Sequence, residues 1–296
     1  MKLTICTPTY NRAYCLDELY MSLCRQTCKN FEWIIVDDGS TDNTKQLVEG
    51  FNAESFPLKY IFKENGGKHT AVNKGIEAAE GEYFMIVDSD DILTEDAVDS
   101  IISGFIGIPE SFAGISFNKS FKNGKLIGST FAGEYVDCTS LERPKFNIYG
   151  DKAECFFTEI LRKYPFPVFE GERFLGEAVV WNRIAASGHK IRWYNKAVYL
   201  CEYRSDGLSM NASGLKNFEG YTLSVKELLS YPQAALKEKI RNLGVYAYTA
   251  RNKPATDREI ADFVHTSVVW VKLSRWLYTL KRKLSNSTRE KELNIK

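Results

Sequence analysis

No stretch of about 18 apolar residues occurs in the chain, so no segment is expected to span a membrane. Residues 1–30 lack a basic start followed by an apolar run, so no signal peptide is expected. Neither sign of charge is in excess: 39 Lys and Arg stand against 38 Asp and Glu, a net +1. That balance excludes a global attraction to nucleic acid. Histidines number three. Of seven scattered cysteines only Cys24 and Cys28 are close, and no histidine lies near enough to complete a metal-ligand set. An odd cysteine count in a 296-residue chain able to build its own core points to reduced thiols and a cytoplasmic setting. Internal repeats and low-complexity segments are absent. With 44% hydrophobic and 26% charged residues, disorder and fibrous architectures are also excluded.

The charge is unevenly spread. Residues 251–296 hold 11 Lys and Arg against 5 Asp and Glu, a net +6, whereas the other 250 residues hold 28 against 33, a net −5. Over the first hundred residues strand and helix signals alternate. Apolar runs at 3–7, 33–36, 58–62 and 83–87 read as strands. Segments 16–23, 71–79 and 97–102, and a polar one ending at Val48, read as helices. This alternation predicts an α/β domain with a mainly parallel sheet. The near-continuous apolar runs suit strands covered on both faces. After about residue 110 the pattern changes. A strand is expected at 112–117 and a tight hairpin at Asn123-Gly124. Residues 153–163 and 177–187 read as helical, 191–203 as β-rich, and the chain from 214 onward as mostly helical.

Two acidic clusters, Asp37-Asp38 and Asp88-Ser89-Asp90-Asp91, follow predicted parallel strands. Ligands bind at the carboxyl ends of such strands. Carboxylates one residue apart suit a hard cation that shares its oxygen ligands with substrate phosphates. No Gly-rich phosphate-cradling loop is present, so phosphates at this edge would need the metal. Aspartates in these positions also cap helices and fill turns, and that alternative stands beside the ligand reading.

Four segments then align in order. They are Thr7-Pro8-Thr9-Tyr10-Asn11-Arg12, Val36-Asp37-Asp38-Gly39-Ser40-Thr41-Asp42, Asn65-Gly66-Gly67 with Asn73-Lys74-Gly75, and Gly81-Glu82-Tyr83 leading into Asp88-Ser89-Asp90-Asp91. Together they resemble the inverting family 2 glycosyltransferases of the GT-A fold, strongly over 1–100 and weakly to about 215. The resemblance implies a Rossmann-like, mainly parallel central sheet, a smaller mixed β acceptor region and a C-terminal helical tail. Residues 1–110 would form the nucleotide-sugar-binding half, 111–213 the acceptor-binding half of the same domain, and 214–296 the helical region.

The resemblance also assigns roles. Pro8 and Tyr10 match positions lining the nucleotide base. Asp38 matches the carboxylate that accepts from a uracil ring N–H, which dTDP presents equally. Asp88 matches the residue facing the ribose, and Asp90 the ligand of Mn²⁺ or Mg²⁺. Lys68 and Lys74 are candidate phosphate contacts. Arg204, in Tyr203-Arg204-Ser205-Asp206, matches a loop that closes over the donor diphosphate. Where the family often has an acidic pair this chain has Gly176-Glu177, so Glu177 alone matches the general base, with Glu170 and Glu172 in reserve. The implied reaction moves a sugar from a nucleotide sugar, UDP favoured, to a hydroxyl of a saccharide or lipid-linked acceptor in polysaccharide or glycoconjugate synthesis. The alternative is a non-catalytic nucleotide- or sugar-binding protein on the same fold.

In the tail, Val269, Leu273, Trp276, Leu277, Leu280 and Leu284 recur at helical spacing, and Lys272, Arg275, Arg282 and Lys283 lie largely off that stripe. A basic amphipathic helix over 263–284 is therefore expected to meet a membrane surface, a second subunit or its own domain. Contact with a membrane would place the protein at the inner face of that membrane.

Overall fold

The computed structural model describes residues 1–202, 216–250 and 255–293. Met1–Met210 and Asn211–Lys296 form two compact units. In the first, the chain runs β1 (Leu3–Thr9), α1 (Ala13–Cys24), β2 (Phe31–Asp37), α2 (Thr44–Glu49), β3 (Leu58–Phe62), α3 (Lys68–Ala78), β4 (Tyr83–Ile86), β5 (Ile92–Leu93) and α4 (Ala97–Gly104). There follow β6 (Phe112–Phe121), β7 (Tyr135–Cys138), a 3₁₀ turn at Ser140–Phe146, β8 (Lys152–Phe157), α5 (Thr158–Lys163), α6 (Ala178–Ala186) and β9 (Lys190–Cys201).

These strands form one sheet in the order β3-β2-β1-β4-β8-β6-β9-β5, with β7 on β9. Strands β1 to β4 pair in parallel, and β4/β8, β6/β8 and β5/β9 are antiparallel. All seven residues of β1 and of β2 are buried, as strands covered by helices on both faces must be. Leu3, Ile5, Leu16, Leu19, Trp33 and Ile35 centre the main core. The β1/β4 pairing ends at Cys6 and Ile86. Pro8, which has no N–H for a ladder, comes after that point. Past Ile86 the chain leaves the sheet at this carboxyl edge.

One sequence expectation is corrected. Residues 153–163 are not one helix: 152–157 form β8, and only 158–163 are helical. Ala153, Phe156, Phe157, Ile160 and Leu161 do recur at helical spacing. Backbone pairing of β8 with β4 on one side and β6 on the other decides the outcome. The Asn123-Gly124 turn is present, with Gly124 at φ 82° and Phe121 N–H donating to Lys125 O at 2.9 Å. Its returning arm is a single bridge, Ser120 to Leu126, rather than a strand.

The second unit contains α7 (Phe218–Ser230), α8 (Leu236–Thr249), α9 (Asp257–Phe263) and α10 (Val268–Leu293). Val225, Leu243, Tyr246, Ile260 and Val271 build its own core. The expected helix over 263–284 is corrected to one beginning at Val268. His265 adopts φ 51° after α9, and the Ser267 hydroxyl accepts from Trp270 N–H at 3.3 Å to start the new helix.

Candidate active site

A cavity of about 850 Å³ opens at the carboxyl edge of the parallel strands. Pro8, Tyr10, Asp38, Lys68, Asp88, Asp90 and Glu177 all line it. Arg204 lies outside the described residues. Glu170 and Glu172 do not line the cavity, and Lys74 sits on the surface, paired with Glu77 at 2.9 Å.

The loops are held by short polar contacts. Asp37 ends β2 and accepts from Ser40 N–H at 2.7 Å and Tyr60 OH at 2.6 Å. Asn11, at φ 53°, accepts from Thr41 N–H at 2.8 Å, and its own N–H donates to Ser40 Oγ at 2.8 Å. The loops after β1 and β2 are thereby latched together. Asp38 is 3% exposed and accepts from Gly66 N–H at 3.0 Å, Gly67 N–H at 2.7 Å and Lys63 Nζ at 2.5 Å. A carboxylate has about four acceptor sites, so one remains for a ligand N–H. Thr9 Oγ1 and Asn65 Oδ1, also on the cavity wall, are buried and have no hydrogen-bond partner. The open site on Asp38 suits a ring N–H, and the Thr9 hydroxyl next to it can donate to a ring carbonyl.

Lys68 joins the two halves of the site. Its ammonium lies 2.6 Å from Asp88 Oδ1 and 2.8 Å from Glu177 Oε1. Burial opposes the charge on Lys68, but the two carboxylates outweigh it and raise its pKa above the usual lysine value. Burial likewise disfavours ionised Glu177, yet Lys68 wins and holds that carboxyl below the usual glutamate value. Asp88 is lowered in the same way, with burial opposed by Lys68 and Lys119. Its N–H donates to Tyr199 OH at 2.9 Å. Strand β9 thus fixes the loop after β4.

Helix α3 seats the segment that carries Glu177. Gly67 precedes it at φ 95°, and a Cβ there would lie 2.1 Å from Arg173 O. Only glycine fits both conditions. Asn73 accepts from Phe166 N–H at 2.8 Å and donates to Phe166 O at 2.9 Å. The glycine and asparagine motifs therefore position the second half of the site from the first. Glu177 itself stands at the N-cap of α6, and its carbonyl accepts from Val180 N–H at 3.0 Å.

Asp90 follows β4 and lies 3.3 Å from Arg12 Nη1. Asp91 is buried beside it and accepts from Glu202 N–H at 3.3 Å. Burial, aided by Asp88, pushes its carboxyl up to about 6. Among the described residues no group of three His, Cys, Asp or Glu converges. A cation here would therefore take one or two carboxylates from the protein and the rest of its ligands from substrate, an arrangement that fits Mg²⁺ or Mn²⁺.

Several lining residues carry no sequence expectation: Lys119, Arg143, Lys152, Glu154 and Trp181. Lys119 sits 3.9 Å over the Tyr199 ring. Lys152 is buried, donates to Ser129 O at 2.9 Å, and is lowered to about 8 by burial and by Arg143. Burial pushes Glu154 up to about 7 against the pull of Arg143 and Lys119. Lys119, Lys152 and Glu154 interrupt apolar strand runs, which is the signal the sequence carries for them. His69 is buried off the cavity with both ring nitrogens unpaired, and burial lowers its pKa. His189 rests at the surface with Nδ1 3.2 Å from Ser111 O.

The sequence pattern of glycosyl transferase family 2 matches residues 4–163. Glycosyltransferase GlyA of Streptococcus pneumoniae serotype 4 is 28% identical over 218 residues, which are 70% of this chain and 31% of GlyA. A GalNAc(5)-diNAcBac-PP-undecaprenol beta-1,3-glucosyltransferase of Campylobacter jejuni is 27% identical over 177 residues, covering 51% of this chain and 57% of that protein. The match thus spans about a third of GlyA's own length. Among solved structures, S. aureus TarS 1-349 in complex with UDP-GlcNAc superposes with a TM-score of 0.64 at 25% identity, covering 86% of this chain and 73% of that one.

Proposed function

The chain belongs to glycosyl transferase family 2, and from that premise we propose that it moves a sugar from a nucleotide sugar to an acceptor hydroxyl with inversion at the anomeric carbon. One observation carries this reading: Lys68 ties Asp88 at the donor edge to Glu177 on the opposing segment, inside one cavity. A donor site and a carboxylate able to take a proton thus share a wall.

In the proposed reaction the base ring lies between Pro8 and Tyr10. Asp38 accepts from the single ring N–H of uracil, and the Thr9 hydroxyl donates to a ring carbonyl. The UDP-GlcNAc complex of TarS supports the same choice. Glu177 takes the acceptor proton as the hydroxyl oxygen attacks the anomeric carbon. The bond to the diphosphate oxygen breaks on the opposite face, and the electron pair leaves with the nucleoside diphosphate. Glu177 is suited to this because Lys68 keeps it ionised at neutral pH. Arg12 and Lys68 place positive charge where the leaving group gains negative charge. Asp90 would hold Mn²⁺ or Mg²⁺, which when bound neutralises that charge further. The acceptor is a saccharide or a lipid-linked saccharide, the second supported by the name of the Campylobacter relative. Seven free thiols support a reducing, cytoplasmic setting.

Thermal unfolding against UDP, dTDP, GDP and CMP, each with and without Mn²⁺, tests the donor site. A ligand at 100 times its Kd stabilises by about 2.7 kcal/mol. That raises the midpoint by roughly 5–10 °C for a chain of this size. The expected result is a Mn²⁺-dependent shift with UDP that Asp90→Ala abolishes. A clean transition that no nucleotide moves would overturn the donor site. Nucleotide binding with no release of diphosphate from any UDP-sugar would favour the binding-protein alternative.

A further inference from the structure

Helix α10 has two apolar faces, and among the described residues only one packs within its unit. Val271 and Ser274 are 0% and 1% exposed. With Tyr278 they form the face packed on α8, where a Cβ on Gly244 would lie 2.5 Å from Ser274 O and the Tyr278 ring lies 5.4 Å from Tyr248. Spaced at 3.6 residues per turn, a second and wider stripe of Val269, Trp270, Leu273, Trp276, Leu277 and Leu280 falls on the other side of the helix. Each of these is between 38% and 74% exposed, and Trp276 is 60% exposed.

Charge borders that stripe on both sides. The same spacing puts Lys272 and Lys283 along one edge and Lys281 along the other. Among the described residues none of the three pairs with a carboxylate. The two arginines are otherwise engaged: Arg275 with Asp257, and Arg282 over the Tyr248 ring at 4.9 Å. Residues 268–284 contain five Lys and Arg and no Asp or Glu. Packing the stripe on a second copy would set lysine rows against lysine rows with no acid to pair them, which disfavours that partner. An apolar face holding two tryptophans between rows of lysine fits a plane that is apolar below and anionic above.

We infer that α10 lies in the interface of an anionic lipid bilayer, with Trp276 and Leu280 inserted and Lys272, Lys281 and Lys283 at the headgroups. An insertion depth of about 5–10 Å matches such helices. This goes beyond sugar transfer and stands whether or not the cavity turns over a donor.

The test is co-sedimentation of the full chain with vesicles of phosphatidylcholine alone and with phosphatidylglycerol at about 7:3. About tenfold or more preference for the anionic vesicles is expected from three lysines at the surface. Trp276→Glu with Leu280→Glu should abolish binding, and replacing the three lysines by Gln should remove the preference. Because these side chains are exposed, the variants should keep the wild-type thermal midpoint, which shows that they fold. A folded chain that ignores anionic vesicles would overturn the inference. So would a dimer, seen by light scattering and dissolved by Trp276→Glu, that binds no vesicle.

Discussion

Strand β2 carries a buried carboxylate near each end. Glu32, toward the amino end, is 2% exposed and accepts from Thr4 OH at 2.6 Å, Glu80 N–H at 2.6 Å and Gly81 N–H at 3.1 Å. Asp38, just past the carboxyl end, is 3% exposed and accepts from two glycine N–H groups and a lysine. In burial and hydrogen bonding the two are near twins, yet only Asp38 lines the cavity. The immediate surroundings of a carboxylate therefore do not decide whether it faces the cavity. The edge of the sheet it occupies does, because crossovers in a parallel sheet leave the crevice at the carboxyl ends. The contrast extends beyond this pair. Glu32 at the amino edge is matched mainly by main chain, whereas at the carboxyl edge Lys68 is shared between two carboxylates. In the same cavity, no cation among the described residues forms an ion pair with Glu154.

The largest expected effect lies at the carboxyl edge. Glu177→Gln should lower kcat by about 10²–10⁴-fold, the usual worth of a general base. The nucleotide-induced thermal shift should stay at the wild-type value. Near-normal transfer by this variant, with donor bound normally, would remove Glu177 from the chemistry and break the contrast.

At the amino edge the expected effect is on stability alone. Glu32→Gln keeps an oxygen for the three donors at Oε1 but removes its charge and turns an amide nitrogen toward Lys59, 3.9 Å from Oε2, and should cost about 1.5–3 kcal/mol, the range for hydrogen bonds to a charged group. Denaturant titration reads the loss, and the UDP-induced shift should not change. A loss of nucleotide binding without a loss of stability would show that the amino edge also serves the ligand.

The smallest effect concerns Glu154. Its pKa of about 7 in the folded chain, against an ordinary 4.5, means that the unfolded chain releases this proton first as pH rises. The stability linked to its protonated form is therefore complete below about 4.5 and lost as pH climbs through about 7. Glu154→Gln should remove this slope, so the variant gains on wild type by on the order of 1–3 kcal/mol between pH 4.5 and 8. Parallel stability curves for the two proteins would show that this carboxyl is solvated like an ordinary surface group.

Much of the cavity's edge at the carboxyl ends of the strands is legible in the sequence. The alternation over the first hundred residues and the acidic clusters after two strands are local features, and Pro8, Asp38, Asp88 and Asp90 do meet on one cavity wall. The motif at 65–75 is legible only as a fingerprint. Its physical content lies in contacts with Phe166 and Arg173, far along the chain. Segment 152–157 misleads because its spacing satisfies a helix, while its partners β4 and β6 leave no local trace. The arrangement of Lys119, Lys152 and Glu154 is illegible for the same reason. A charged residue inside a strand announces that it is unusual, but not what faces it.

Periodicity, turn chemistry and the order of the motifs act over a few residues, so the sequence by itself determined the parallel strands, their acidic ends and the basic helical tail. Tertiary structure alone decided that one ammonium would be shared by Asp88 and Glu177, that β8 would join the sheet, and which face of α10 would stay exposed. Each of these is an interaction between segments distant in the chain, and its energy exists only once backbone pairing and burial have brought the partners within reach.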